Sequence, residues 1–172
     1  MYVTANNIPF KIGVQLYKNS NKGKIRYIDK IAVPLRDQEG YPGVKPPWGT
    51  ITAINLNTGK IIWQVPLGYY ESLKSKGIIT GTENFGGATA TAGGLVFVAG
   101  TLDKLIRAFN SENGIELWSH ELPYIGSAPP TSYEINGEQY IVIPASGGTT
   151  LKMFYPNLVE QGDAVVAFKI KQ

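Results

Sequence analysis

Apolar residues along this chain fall in short runs. Glycine, proline or asparagine cuts each run before a helical period is established. Tyr, Val, Ile and Thr fill the runs, and these residues suit a pleated, half-buried surface. Residues 88–92 read as a Thr/Ala strand, Gly93-Gly94 as a tight turn and 95–99 as an apolar strand. Residues 105–110 and 116–120 give two more. Between those two, Asn113-Gly114 supplies the positive backbone angles of a hairpin turn, and Thr58-Gly59 does the same earlier. The order then recurs: residues 131–135, the turn Asn136-Gly137, residues 139–143, a Gly-rich loop and residues 164–170. Ten or eleven strands in three sheets are expected, with residues 69–76 as the one helical turn.

The pattern is an internal repeat. Ala53-Ile54-Asn55-Leu56-Asn57-Thr58-Gly59-Lys60-Ile61-Ile62-Trp63 aligns with Ala108-Phe109-Asn110-Ser111-Glu112-Asn113-Gly114-Ile115-Glu116-Leu117-Trp118. Alanine, asparagine, glycine and tryptophan hold the same places in both, and Pro66 and Pro123 follow the tryptophans. A partial third copy, Ala164-Val165-Val166-Ala167-Phe168, aligns with Leu105-Ile106-Arg107-Ala108-Phe109. Four antiparallel strands in a repeat of about 50 residues make one blade of a β-propeller. The fold expected is therefore all-β: a propeller fragment of about three four-stranded antiparallel blades. Residues 1–68 hold a partial blade, 84–123 a full one and 125–172 the last. Small Ala53 and Ala108 let neighbouring sheets approach. Trp63 and Trp118, on outer strands, dock on the next blade.

Closed propellers have roughly 4–8 blades. This chain is therefore expected not to close alone. Its partners are missing N-terminal blades or another copy of itself, which makes a homo-oligomer the expected state. Composition narrows the chemistry. Of 172 residues, 43% are hydrophobic and 17% charged, which excludes disorder. The net charge of +3 is spread along the chain and indicates no nucleic-acid partner. There is no cysteine, so disulfides, thiolate metal sites, a thiol nucleophile and a CxxCH haem attachment are excluded within the chain. No apolar run reaches the roughly 20 residues of a membrane helix. Residues 1–7 lack the charged start and apolar stretch of a signal peptide.

Three runs carry a resemblance: Gly40-Tyr41-Pro42-Gly43-Val44-Lys45-Pro46-Pro47-Trp48-Gly49-Thr50, Gly81-Thr82-Glu83-Asn84-Phe85-Gly86-Gly87 and Ala92-Gly93-Gly94-Leu95-Val96-Phe97. With the Ala…Thr-Gly-Lys…Trp repeat, they resemble the quinoprotein dehydrogenases that use pyrroloquinoline quinone (PQQ), and among them the glucose dehydrogenase-like members. The resemblance implies an eight-bladed parent propeller, of which this chain is the C-terminal part. It implies PQQ near the axis with a calcium ion, an aspartate base, a sugar or alcohol substrate, a quinone or cytochrome acceptor and a periplasmic setting. The calcium ligands, the base and most PQQ contacts then precede Met1. No catalytic or metal-binding residue is expected here, and no cofactor is expected tightly bound to this chain, which would be inactive alone.

Five loops fall on one face of the blades: 45–50, 84–87, 100–104, 127–130 and 145–150. The resemblance makes this the cofactor face. Asn84, Phe85, Gly86 and Trp48 are its candidate cofactor-binding residues. Asn84 has an amide to donate to a quinone oxygen or carboxylate. Phe85 either lies against the quinone or plugs the central channel. Gly86 and Gly87 allow close backbone approach. Trp48 either walls a substrate funnel or anchors its Pro-rich loop. Asp103 and Asp163 bind a cation or, more commonly for such residues, cap turns. His120 reads as a solvated edge residue, and residues 18–30 as an exposed basic loop. Residues 146–150 are Gly-rich but lack the lysine and the following helix of a phosphate loop. A non-enzymatic periplasmic propeller scaffold and a self-assembling interaction module are the alternative readings. The cofactor-face runs favour the dehydrogenase.

Overall fold

Two strands in the middle of the chain send alternate side chains into two different cores. In Leu95–Val98, Val96 and Val98 face one core and Leu95 and Phe97 the other. In Leu105–Asn110, Phe109 faces the first and Ile106 and Ala108 the second. A sheet buried on both faces must lie between two others, and the remaining strands supply them.

The computed structural model describes residues 1–18 and 25–169. In chain order its elements are β1 (Tyr2–Asn6), β2 (Phe10–Lys18), β3 (Ile25–Pro34), β4 (Gly49–Ile54), β5 (Ile61–Pro66), α1 (Glu71–Lys74), β6 (Ala88–Ala90), β7 (Leu95–Val98), β8 (Leu105–Asn110), β9 (Glu116–Glu121), β10 (Thr131–Ile135), β11 (Glu138–Ala145), α2 (Thr149–Phe154) and β12 (Ala164–Lys169). The chain divides into two units: Met1–Asn7 with Pro46–Gln172, and Ile8–Lys45.

The larger unit holds three antiparallel sheets, ordered β1-β4-β5, β6-β7-β8-β9 and β10-β11-β12. Between the first two lie Ile51, Ala53, Trp63 and Leu67 against Val96, Val98 and Phe109. Between the second and third lie Phe97, Ile106, Ala108 and Leu122 against Ile141, Ile143 and Ala145. The middle sheet is a full four-stranded blade. The repeat explains its neighbours. β4 and β5 match β8 and β9, so the first sheet has no counterpart of the innermost strand β6 among the described residues. β10, β11 and β12 match β6, β7 and β8, so the third has no counterpart of β9 among the described residues.

The repeat residues have one shared task. Ala53 pairs across from Trp63, so both face the next sheet. The Trp63 indole N–H donates to the Ser111 carbonyl at 3.0 Å, and its ring lies over Gly114. A Cβ on Gly114 would sit 2.6 Å from that ring. Asn110 holds the turn: its side chain accepts from the backbone N–H of Glu112 at 2.8 Å and of Asn113 at 3.3 Å. Trp118 is the equivalent on the second sheet. It meets Phe168 edge-on at 5.1 Å but stays 37% exposed, against 8% for Trp63.

A buried arginine inside the stack pairs with two carboxylates. Arg107, 2% exposed, bonds Asp103 and Thr101 with its guanidinium and reaches Glu116 at 3.2 Å. Asp103 also accepts from the backbone N–H of Tyr69 at 3.1 Å and of Leu105 at 3.2 Å. These contacts hold residues 100–105 to Arg107 and to the loop before α1. Among the described residues no group of three metal-ligating side chains occurs.

The smaller unit corrects the strand count. β2 and β3 form an antiparallel hairpin with an irregularity between Gly13 and Val14, making twelve strands in four sheets among the described residues. Phe10, Ile12, Val14 and Leu16 alternate along β2 with period two, which is strand patterning. The exposed loop expected over residues 18–30 is strand at 18 and 25–30, and its middle, 19–24, lies outside the described residues. A second correction is α2. The helical turn expected at 69–76 is present as α1, but α2 follows directly on the Gly-rich loop at 146–148. Leu151, Tyr155 and Val159, four apart, are buried together with Ile125. That spacing is the helical signal the glycines masked. No described helix is long and apolar enough to cross a membrane.

Gly114 and Gly59 separate backbone strain from tryptophan docking. Both have positive φ, +73° and +67°, but nothing lies within 4 Å of a Cβ at Gly59. Gly59→Ala should lose about 1 kcal/mol through backbone strain alone. Gly114→Ala should lose about 3 kcal/mol, because it also displaces the ring. Urea unfolding of the two variants checks this; equal losses would mean that Trp63 yields without cost.

Candidate functional site

The segment 81–87 enters β6, and close backbone contacts fix it. Gly49 lies so near Thr82 that a Cβ there would be 1.8 Å from its carbonyl oxygen and 3.0 Å from the Asn84 amide nitrogen. A Cβ on Gly86 would fall 2.1 Å from the Ala99 carbonyl oxygen. Gly87 packs on Pro129, and Gly148 on Ser127. These contacts join the loops at 48–50, 84–87, 99–101, 127–130 and 145–148 of the larger unit into one face. The loops grouped from the sequence, 45–50, 84–87, 100–104, 127–130 and 145–150, overlap these.

Asn84 is 3% exposed and forms a single bridge with Thr101. Its Nδ2 donates to Asn6 Oδ1 at 3.1 Å and to the Ala5 carbonyl at 3.4 Å. Its Oδ1 is buried and has no hydrogen-bond partner among the described residues. A buried carbonyl without a donor costs about 1–3 kcal/mol. Next to it, Phe85 is 40% exposed and its ring lies 6.2 Å from that of Phe154 in α2. Asn84 and Phe85 thus put an acceptor and an accessible ring side by side.

Gly86 is buried, and the close approach it permits is to the chain's own backbone at Ala99 and Gly100. Thr4 adds a tether, its hydroxyl donating to the Gly86 carbonyl at 3.0 Å. Trp48 is 5% exposed and meets Tyr70 edge-on at 5.5 Å. Its backbone N–H donates to the Thr80 carbonyl at 2.7 Å. Tyr70 in turn donates to the buried carboxylate of Glu83 at 2.8 Å and stands 3.4 Å from the Tyr155 hydroxyl. Trp48 therefore supports the residue preceding Asn84 through Tyr70. A groove of about 370 Å³ opens beside Tyr70, lined by Tyr69, Glu71, Leu102, Asp103 and Leu158 among others. Its lining does not include Asn84 or Phe85.

Four contributors to this face were not legible in the sequence as site residues: Asn6, Tyr70, Glu83 and the aromatic pair Phe154–Tyr155. Asn6 lies 78 positions from its partner, and only the pairing of β1 with β4 brings it near. The other groups depend on α2 and on the loop after β5, neither of which repeats.

The pattern of the family described as "PQQ: Glucose/ethanol/alcohol dehydrogenase, beta-propeller domain" matches residues 11–141. The chain is 40% identical over 141 residues to a quinate/shikimate dehydrogenase (quinone) of Acinetobacter baylyi, covering 77% of this chain and 17% of that protein. It is 34% identical over 143 residues to a quinoprotein glucose dehydrogenase of Escherichia coli, covering 80% and 17%. The chain thus spans about a sixth of the length of these relatives. Among solved structures, a europium-containing methanol dehydrogenase superposes on 98% of this chain and 30% of its own, with a TM-score of 0.68 and 17% identity. That likeness is one of fold.

The burial of Trp48 and the exposure of Phe85 predict different costs. Trp48→Ala should destabilise the chain by about 3–5 kcal/mol, as for a large buried ring. Phe85→Ala should lose under about 1 kcal/mol. Chemical unfolding checks both, and a mild Trp48→Ala would show that the ring is not an anchor.

Proposed function

The chain belongs to the β-propeller family of PQQ-dependent glucose, ethanol and alcohol dehydrogenases, and from that premise we propose that it is the C-terminal part of such an enzyme. The substrate is a sugar or alcohol, glucose-like in carrying several hydroxyls, and electrons pass to a quinone or cytochrome acceptor in the periplasm. The observation that carries the reading is the buried, unpaired Oδ1 of Asn84 beside the accessible ring of Phe85. A polar atom left at that cost has a use when a ligand supplies its partner.

The residues fit a flat, polar cofactor. PQQ, when bound, supplies a quinone that takes two electrons from an alcohol carbon. Asn84 would orient the bound group through one hydrogen bond. Phe85 would lie against its ring and exclude water from that side. Gly86 keeps the loop flush with the neighbouring backbone so that these two side chains stay in place. Trp48 acts behind them, through Tyr70 and Glu83. The calcium ion and the base belong, in this reading, to the rest of the propeller. The chain has no cysteine, so its electrons leave without a thioether-bound haem of its own.

The outward face of the third sheet supports incomplete closure. Val165, on β12, is 71% exposed and Tyr133 39%, while Ala164, Val166 and Phe168 on the opposite face pack inward. We assign the cover of this face to the missing blades or, failing them, to another copy of the chain.

With PQQ and calcium added, this chain alone should reduce no dye with glucose as substrate. The longest product of the reading frame that holds it should do so. Turnover by the chain alone would refute its dependence on other blades; none by the longer product would refute the dehydrogenase reading. At micromolar concentration the chain alone should self-associate in light scattering. A persistent monomer would mean that its exposed sheet faces need no cover.

A further inference from the structure

We infer that Asn6 is a positioning residue of the Asn84 site, turning the Asn84 amide so that its oxygen, an acceptor, faces the ligand. The inference rests on the cofactor-site reading above and adds both a residue and a polarity to it. The ligand must present a hydrogen-bond donor, N–H or O–H, or a cation at Asn84.

The orientation follows from backbone chemistry. The Asn84 main-chain N–H can only donate, so the Asn6 atom 2.9 Å from it is the amide oxygen. The Asn84 main-chain carbonyl can only accept, so the Asn6 atom 2.8 Å from it is the amide nitrogen. These two contacts leave Asn6 one orientation. The Asn84 side-chain atom 3.1 Å from Asn6 Oδ1 must then be nitrogen, and its other contact is again an acceptor, the Ala5 carbonyl at 3.4 Å. Turning the Asn84 amide over would set oxygen against oxygen at both places. Both amide hydrogens are therefore engaged within the chain, and Oδ1 alone is left without a partner.

This reverses the role expected from the sequence, in which Asn84 donates to a quinone oxygen or carboxylate. An ionised carboxylate or a quinone oxygen placed against Oδ1 would be repelled. Asn6 itself is exposed on β1 and need not touch the ligand. It acts through the amide it holds. Thr4, two residues earlier on the same strand, tethers the same loop at Gly86 without touching Asn84. It is the control for loop tethering as such.

The test titrates PQQ, and separately calcium, into the longest product of the reading frame that holds this chain. Binding is read by fluorescence quenching and stability by thermal unfolding. Asn6→Ala should raise one of the two half-saturation concentrations about tenfold, the scale of one lost hydrogen bond to a ligand. Thr4→Val, which removes one tether of the same loop, should change neither more than about twofold. A rise in the PQQ value assigns the donor to the cofactor; a rise confined to calcium assigns the cation. Equal effects of Asn6→Ala and Thr4→Val, or none from Asn6→Ala, overturn the inference while the cofactor site stands. Failure of the unaltered protein to bind PQQ overturns both. A second measurement needs no ligand or variant. In the amide NMR spectrum of this chain, both Asn84 side-chain protons should exchange slowly with water. Rapid exchange would show that the clamp is absent and would overturn the inference.

Discussion

The docking of one sheet's tryptophan on the next sheet's turn is the constraint that the rest of this structure depends on. Trp63 spends its indole N–H on the Ser111 carbonyl and lays its ring on Gly114. Only a residue without a Cβ lets the ring come so close, and the turn there has a positive φ that glycine meets most easily. The asparagine four positions earlier holds the turn in shape. Alanine at position 53 completes the set by leaving room for the ring on its own sheet. Four residue types thus fix spacing, tilt and register between sheets. The rest of each strand needs only to alternate. This is why β4–β5 and β8–β9 share few other residues and still adopt the same pairing, down to the irregularity just after the repeated alanine, Ala53 or Ala108.

That economy also sets what could be read from the chain. The repeat and its turns placed β8 and β10 at their observed limits and most other strands within a residue or two. Those features are local, and their signals are strong. Elements outside the repeat were harder to see. α2 hides behind three disfavoured neighbours, Ser146, Gly147 and Gly148, and its helical spacing appears only when Val159, beyond its end, is counted. The β2–β3 hairpin has a plain alternation in β2, but the five basic residues at 18–30 suggested a loop. The candidate site was legible in part for the same reason. Asn84, Phe85 and Gly86 stand out as a run. Asn6 is one of two ordinary asparagines at the end of a strand, and its importance is a matter of which backbone groups it meets 78 positions away.

Backbone proximity does at the site what tryptophan does at the rim. Gly49, Gly86, Gly87 and Gly148 each sit where a Cβ would meet a neighbouring loop at under 3 Å. Loops so close cannot carry large side chains at the same positions. The few side chains that project are correspondingly fixed. Phe85 is exposed because the glycines beside it leave it no pocket of its own. Asn84 is buried because Gly49 and Asn6 close over it. The polar cost of that burial is met on one side of the amide by Asn6 and Ala5, and unmet on the other. The one oxygen without a partner among the described residues is the acceptor that a ligand's donor would meet.

The two ends of the sheets therefore differ in how far they depend on further structure. At the rim, Trp118 is held by Phe168 and His120 but keeps over a third of its surface in water, since no turn among the described residues receives it as the turn at 111–114 receives Trp63. At the opposite end the loops already meet. Asn84 is clamped within the first two sheets, through contacts that do not involve the third. Any cover over Trp118 and over the face that carries Val165 would add stability at the rim without rearranging the Asn84 amide. Stability and ligand geometry are thus set by separate contacts in this part of the propeller. The first is a property of the sheet-to-sheet repeat, and the second of four residues, Ala5, Asn6, Gly49 and Asn84, that the repeat does not contain.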